Sequence, residues 1–205
     1  MKSIAFLSQK GGSGKTTLAV HTAVAAQESG ESVVLIDTDP QKSATVWGET
    51  RQSETPIVAT VAASDLEKVL RAAREDEITL AIVDTAPHTA PNAALIASEV
   101  DLIVIPCRPT AFDLAAVSNA VEIVRAAKKN AVLVLSACPF RSPEIAETRQ
   151  VLSEYGLPVC PCDITDRRAF SRAVATGRAV TEFEEEGKAA GEIRALWTWL
   201  KEQMQ

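Results

Sequence analysis

The chain has 205 residues, 46% of them hydrophobic and 23% charged, enough to bury a sizeable core and in keeping with a soluble globular protein. A formal net charge of −6 argues against a dedicated duplex-binding domain, so any contact with nucleic acid has to come from a local patch or from one pooled in a dimer. No apolar run approaches the roughly 20 residues of a membrane span, and the first strand begins too early for a signal peptide, so a cytoplasmic protein is expected.

The first expected strand, Ser3–Ser8, runs into Gln9-Lys10-Gly11-Gly12-Ser13-Gly14-Lys15-Thr16-Thr17, and a helix is expected over Thr16–Ser29. A glycine-rich loop between a strand and a helix lets backbone N–H groups close around phosphate oxygens. The helix that follows adds the positive end of its dipole. Lys15 brings a charge to the β- and γ-phosphates, and the Thr16 hydroxyl suits Mg²⁺. The expected nucleotide contacts are therefore Lys10, Gly11, Gly12, Ser13, Gly14, Lys15, Thr16 and Thr17. A plain phosphate loop has no required charge at the position of Lys10. With it, the run from Lys10 to Thr17 resembles the deviant phosphate loop of the ParA/MinD family, ATPases that position DNA, division sites or large cargo. The resemblance implies that Lys10 crosses an ATP-bridged homodimer to the partner's phosphates.

The second strand, Ser32–Asp37, leads into Asp37-Thr38-Asp39-Pro40-Gln41 ahead of a helix over Ser43–Arg51. Two acids ending an apolar strand are costly unless solvated or used. By resemblance to the ParA group, Asp39 matches the acid that orients the attacking water, and joins Lys10 and Lys15 as the catalytic set; Asp37 is expected nearer Mg²⁺. Capping the helix at Ser43 is the other reading of Asp39. Trp47 is expected in the core. After a short polar connection come a strand over Ile57–Val61 and a helix over Ser64–Glu75. The strand Ile78–Asp84 closes on Leu80-Ala81-Ile82-Val83-Asp84, which resembles a Walker B strand, with Asp84 holding Mg²⁺ through a water or through Thr16. The metal set is then Thr16, Asp37 and Asp84. His88, just beyond, reads as an incidental loop histidine rather than a catalytic one.

Past a helix over Pro91–Ser98, the strand Leu102–Pro106 delivers Pro106-Cys107-Arg108-Pro109-Thr110-Ala111-Phe112-Asp113-Leu114 and a helix over Asp113–Lys129. This loop resembles the one that lies near the nucleotide-sandwich interface of partition ATPases. Asp113 is expected to cap its helix, to lie at the interface, or both. A strand over Ala131–Ser136, a helix over Pro143–Tyr155 and a strand over Leu157–Cys160 follow, and the resemblance places the adenine near Ser136 and Ile164. The four cysteines lie in or beside apolar runs, and Cys160-Pro161-Cys162 lacks the second pair a zinc site needs, so reduced thiols are expected.

Within the helix expected over Arg167–Thr176, Arg168 and Arg172 share a face. Ile164, Arg168, Phe170, Ala173 and Gly177 resemble the C-terminal part of small plasmid ParA proteins, and Arg168 and Arg172 are the expected contacts to nonspecific DNA, weakened by the nearby acids Glu182 and Glu184–Glu186. In the last helix, Ala189–Gln203, the residues Ile193, Leu196, Trp197 and Leu200 have helical spacing, while Glu192, Arg194, Lys201 and Glu202 cancel in charge. A membrane-surface helix would be basic, so packing onto the sheet is expected.

Continuous Val/Ile/Leu strands alternating with helices indicate a doubly wound, mostly parallel α/β sheet with helices on both faces, of the P-loop NTPase type, as one domain over residues 1–205 with no helix-turn-helix domain before it. The resemblance implies a ParA-type ATPase for DNA partition. It would use ATP and Mg²⁺, dimerise on ATP, bind nonspecific DNA on the nucleoid, and hydrolyse ATP when a centromere-binding partner stimulates it. Alternatives are positioning of a carboxysome or chemoreceptor cluster through a cargo adaptor, and a MinD-like membrane-cycling regulator. A metabolic P-loop enzyme, such as a dethiobiotin-synthase-like ligase, has no need of Lys10.

Overall fold

Strands without a polar face demand cover on both sides, and the computed structural model, which describes residues 1–87 and 90–205, shows that cover. The strands are β1 (Lys2–Phe6), β2 (Val33–Asp37), β3 (Ile57–Thr60), β4 (Leu80–Asp84), β5 (Leu102–Cys107) and β6 (Asn130–Leu135). They form one parallel sheet in the order β3-β2-β4-β1-β5-β6. The helices are α1 (Lys15–Glu28), α2 (Ser43–Thr50), α3 (Leu66–Glu75), α4 (Ala90–Glu99), α5 (Ala111–Ala127), α6 (Glu144–Ser153), α7 (Arg168–Val174), α8 (Val180–Phe183) and α9 (Lys188–Gln203). His88 lies outside the described residues.

The period of two in each strand divides its side chains between two cores. Ile4, Phe6, Leu35, Leu80, Ile82, Val104 and Val134 face one core with α1 and α9. Ala5, Val34, Ile36, Val83, Ile103, Ile105 and Leu133 face the other, which α3, α4 and α5 close. Strand register then fixes the functional end. Asp37 and Phe6 both pair with Asp84, so the residues that follow β1, β2 and β4 emerge side by side at the carboxyl edge.

Three expectations are corrected. Leu157–Cys160 is no seventh strand: Val159 makes one isolated bridge to Leu133, with Leu133 N donating to Pro158 O and Cys160 N donating to Leu133 O. Pro158 and Pro161 have no N–H to extend that ladder. The helix expected from Ser64 starts as a 3₁₀ turn at Ala63–Asp65. The four-residue α8 is a further element, too short to leave a periodic signal. The apolar face of α9 is consumed internally, against α1 and α8. Ile193, Leu196, Trp197 and Leu200 are all buried there, and Trp197 Nε1 donates to Ser29 Oγ at 2.8 Å. Each such aliphatic side chain contributes about 1.5–3 kcal/mol of burial. Among the described residues no helix is long and apolar enough to cross a membrane.

Candidate functional site

The loop after β1 bends through Gly12 at φ 74° and Gly14 at φ 98°, the left-handed region that a side chain makes costly. Gly14 leads directly into α1, whose first N–H groups have no side-chain cap, so they face the loop. Lys15 is buried, and burial lowers its pKa against the pull of Asp84 and Asp39. Its ammonium donates to Lys10 O at 3.0 Å, inside its own loop. Ser13 Oγ is buried with no partner, while Ser13 O accepts from Ser136 Oγ at 2.7 Å and ties the loop to the end of β6.

Asp84 ends β4 fully buried, and among the described residues neither carboxylate oxygen has a hydrogen-bond partner. Burial pushes its pKa up to about 7; the Thr16 hydroxyl beside it pulls down, Asp37 pushes up, Lys15 pulls down, and Asp39 pushes up. A buried carboxylate left this bare fits a hard cation, which would draw it back to the ionised form. Thr38 fixes the strand end, its N and Oγ1 both donating to Asp84 O at 3.0 and 2.8 Å. Asp37, expected near Mg²⁺, pairs in register with Asp84 and accepts three hydrogen bonds. Its Oδ1 accepts from Asp39 N at 3.0 Å, and its Oδ2 accepts from Thr45 N and Thr45 Oγ1, both at 2.8 Å. It anchors the start of α2 to β2. Asp39 is half-buried, and its Oδ1 accepts from Gln41 N at 2.9 Å. Asp39 also lines a cavity of about 300 Å³ with Thr38, Pro40 and Thr60.

Lys10 is brought to the same edge, but not free. Its ammonium donates to Asp113 Oδ2 at 2.5 Å and sits 5.9 Å from the exposed ring of Phe112. Asp113 is buried, with Oδ1 unpaired. Asp113 is not the cap of its helix: Thr110 caps α5, accepting from Asp113 N.

Between the loop and α7 lies a groove of about 540 Å³, lined by Gly14, Thr17, Arg108, Ser136, Ile164 and Arg168 among others. The expected adenine neighbours Ser136 and Ile164 therefore share one concavity with the loop. Sequence reasoning missed Arg108, whose guanidinium packs against Gly12, where an added Cβ would lie 3.7 Å from it. The only signal was an Arg between Pro106 and Pro109 in the loop after β5. The expected DNA contacts are split: Arg168 is on the groove, while Arg172 points away, 3.8 Å from Glu184 and over the ring of Phe183.

A sequence family described as an AAA domain matches residues 1–108. Over 98% of the chain and 93% of the relative, it is 31% identical to the maintenance of carboxysome distribution protein A of Gloeobacter kilaueensis. It is 27% identical to protein ParA of Rhizobium radiobacter over 83% of the chain and 81% of that protein. Among solved structures, a Cyanothece McdA–ATP complex superposes with a TM-score of 0.82 at 16% identity, covering 100% of this chain and 96% of that one. The cell-division ATPase MinD of Pyrococcus furiosus superposes with a TM-score of 0.80 at 16% identity, covering 98% of each.

Proposed function

The chain belongs to the ParA/MinD family of Walker-type ATPases, and on that premise we propose that it is a positioning ATPase whose ATP-bound homodimer binds nonspecific DNA and releases it on hydrolysis. The observation that carries this is the meeting of Lys10, Lys15 and the bare Asp84 carboxylate at one edge of the sheet. The Gly11–Thr17 backbone and Lys15 bind the phosphates, Thr16 and Asp84 hold Mg²⁺, and Ser136, Ile164 and Arg108 border the base. ATP supplies the phosphoryl group that passes to water; Asp39 positions that water. Lys10, with exposed Phe112 beside it, marks the face that meets a second copy.

DNA itself is the cargo in the first reading, with a centromere-binding protein as the stimulating partner. A second reading, favoured by the 31% match along nearly the full chain, makes the cargo a protein-shelled body such as a carboxysome and the partner its adaptor. Membrane cycling is disfavoured because the apolar face of α9 is spent on α1 and α8.

The test is DNA retention by the purified protein with ATP·Mg²⁺, with ADP·Mg²⁺ and without nucleotide, using Lys15→Ala as a control. Retention with ATP alone, absent in Lys15→Ala and falling steeply with salt, is expected. Equal retention in all three states would remove the proposed cycle. Arg172→Glu, away from the groove, then asks whether α7 makes the contact. Deleting the gene separates the cargoes, since either DNA is lost or a cell body is misplaced.

A further inference from the structure

Cys160 and Cys162 take no part in the site just described, yet they are placed as a pair. The chain bends at Pro161 and Cys162, which brings the two Sγ atoms within 3.3 Å of each other. Cys160 is buried and Cys162 is half-buried, so a small reagent meets Cys162 first. We propose that Cys160 and Cys162 are a redox-active dithiol, closed to a disulfide by a hydroperoxide and reopened by a thiol reductant, and that closure weakens nucleotide binding in the adjoining groove.

The chemistry balances without a further reactant. The Cys162 thiolate attacks the distal oxygen of the hydroperoxide; the O–O bond breaks, an alcohol leaves, and Cys162 becomes a sulfenic acid. The Cys160 sulfur then attacks Cys162, the S–S bond forms, and the hydroxyl group departs with the Cys160 proton as water. Two electrons pass from the thiols to the peroxide. The hydrogen bond between the two thiols lowers the Cys162 pKa from its ordinary value, against burial, Asp163 and Glu192. That same bond, with burial, pushes the Cys160 thiol up. The half-buried Cys162 is the attacking thiol and the buried Cys160 the resolving one, because a reagent reaches Cys162 first.

Closure has somewhere to act. Forming the bond draws the sulfurs together to about 2.0 Å, and the turn between them must follow. Arg149 clips both ends of that turn, donating to Cys160 O at 2.7 Å and to Asp163 Oδ1 at 2.5 Å. The next residues, Ile164 and Thr165, line the groove, and Ile164 N donates to Leu135 O at 3.0 Å. A shift of the turn is passed directly to the residues bordering the base. This second half of the proposal rests on the nucleotide reading above; the dithiol itself does not.

The experiment treats the purified chain with hydrogen peroxide, alkylates free thiols, and maps the peptide carrying both cysteines by mass, while ATP affinity is measured before and after. An internal disulfide between Cys160 and Cys162, removed by dithiothreitol, is expected, together with about tenfold weaker ATP binding that recovers on reduction, a change usual for coupling between two sites. Cys162→Ser is expected to bind ATP as the reduced protein does and to ignore peroxide. Alkylation of both Cys160 and Cys162 after oxidation would overturn the proposal, as would a disulfide that leaves affinity unchanged, or an equal loss in Cys162→Ser. Reduced protein that binds no ATP would overturn the nucleotide reading instead, with the peptide map still deciding the dithiol.

Discussion

Asp39, half-buried with one oxygen held by the Gln41 N–H, is the proposed water-positioning acid, since a carboxylate does not neutralise phosphate. Asp39→Ala is therefore expected to bind ATP and to dimerise as the parent does, while hydrolysis falls by roughly 10²–10⁴-fold, the usual weight of a positioned acid or base. Phosphate release beside ATP-dependent light scattering would measure both. Normal turnover would give the water to another group. The phosphate loop was legible in the sequence because its chemistry is local. The positive φ values of Gly12 and Gly14 need glycine, and Lys15 and Thr16 follow at fixed offsets. The ties of Asp37 to Thr45 were not legible, because Thr45 lies across a turn and acids two residues apart do not announce which one faces the backbone. The pairing of Lys10 with Asp113, 103 residues away, and the approach of Arg108 to Gly12 are made by the β1–β5 adjacency, which no local pattern encodes.

The sheet was readable strand by strand for a similar reason: runs such as Val33–Asp37 and Leu80–Asp84 are buried along their whole length, so composition alone marks them. The C-terminal third was less so, since its elements are held by particular contacts. Arg51, at the end of α2, donates to Gly177 O at 3.0 Å and to both oxygens of Glu182 at 2.8 and 2.6 Å, and so ties α2 to the turn between α7 and α8. Gly177 has φ 67°, and a Cβ there would meet the backbone of Thr50 and Arg51 at 2.6 Å. Neither neighbour is a flexible side chain that could swing aside. Gly177→Ala is expected to lower stability by about 1–3 kcal/mol, from the left-handed strain and the forced separation of α2 from α7. Urea unfolding measures it. A midpoint equal to that of the parent would mean the two segments slide apart without loss, and that the Arg51 tie is slack.

Across the whole molecule, one buried imidazole gives up stability in acid, and one lysine is the proposed link between copies. His21 is fully buried in α1; its Nδ1 accepts from Val180 N at 3.1 Å, and Nε2 has no partner. Burial, weakly opposed by Glu182, pushes its pKa down to about 3. Below the ordinary value of 6.5 the unfolded chain takes up a proton that the folded chain refuses, so stability is full above that pH and falls as pH drops toward 3. From pH 7 to pH 5 the loss is about 2 kcal/mol. Asp84, raised to about 7, works the other way over the same window, since the folded chain takes up its proton before the unfolded chain does, while Glu31 and Glu182, depressed from 4.5, hold their contribution until lower pH. His21→Asn, which keeps an acceptor for Val180 N, removes the histidine's share, so its urea midpoint is expected to rise relative to that of the parent as pH falls from 7 to 5; a constant difference between the two would assign the slope to other groups. Lys10 bears on assembly. In the single chain its ammonium is held by Asp113, yet Lys15 already serves the phosphates within the subunit, and Lys10 is a third exposed on the face that carries Phe112. Crossing to a second copy means leaving Asp113 for the partner's phosphates, where a desolvated charge pair is far stronger than in water. Lys10→Gln keeps a donor for Asp113 and removes only the charge, so the fold and the affinity for ATP should stay near those of the parent. ATP-dependent dimers should disappear, and DNA retention with them. Light scattering with ATP and Mg²⁺ reads the dimer directly, and dimers of Lys10→Gln as abundant as those of the parent would leave Lys10 a partner of Asp113 and nothing more.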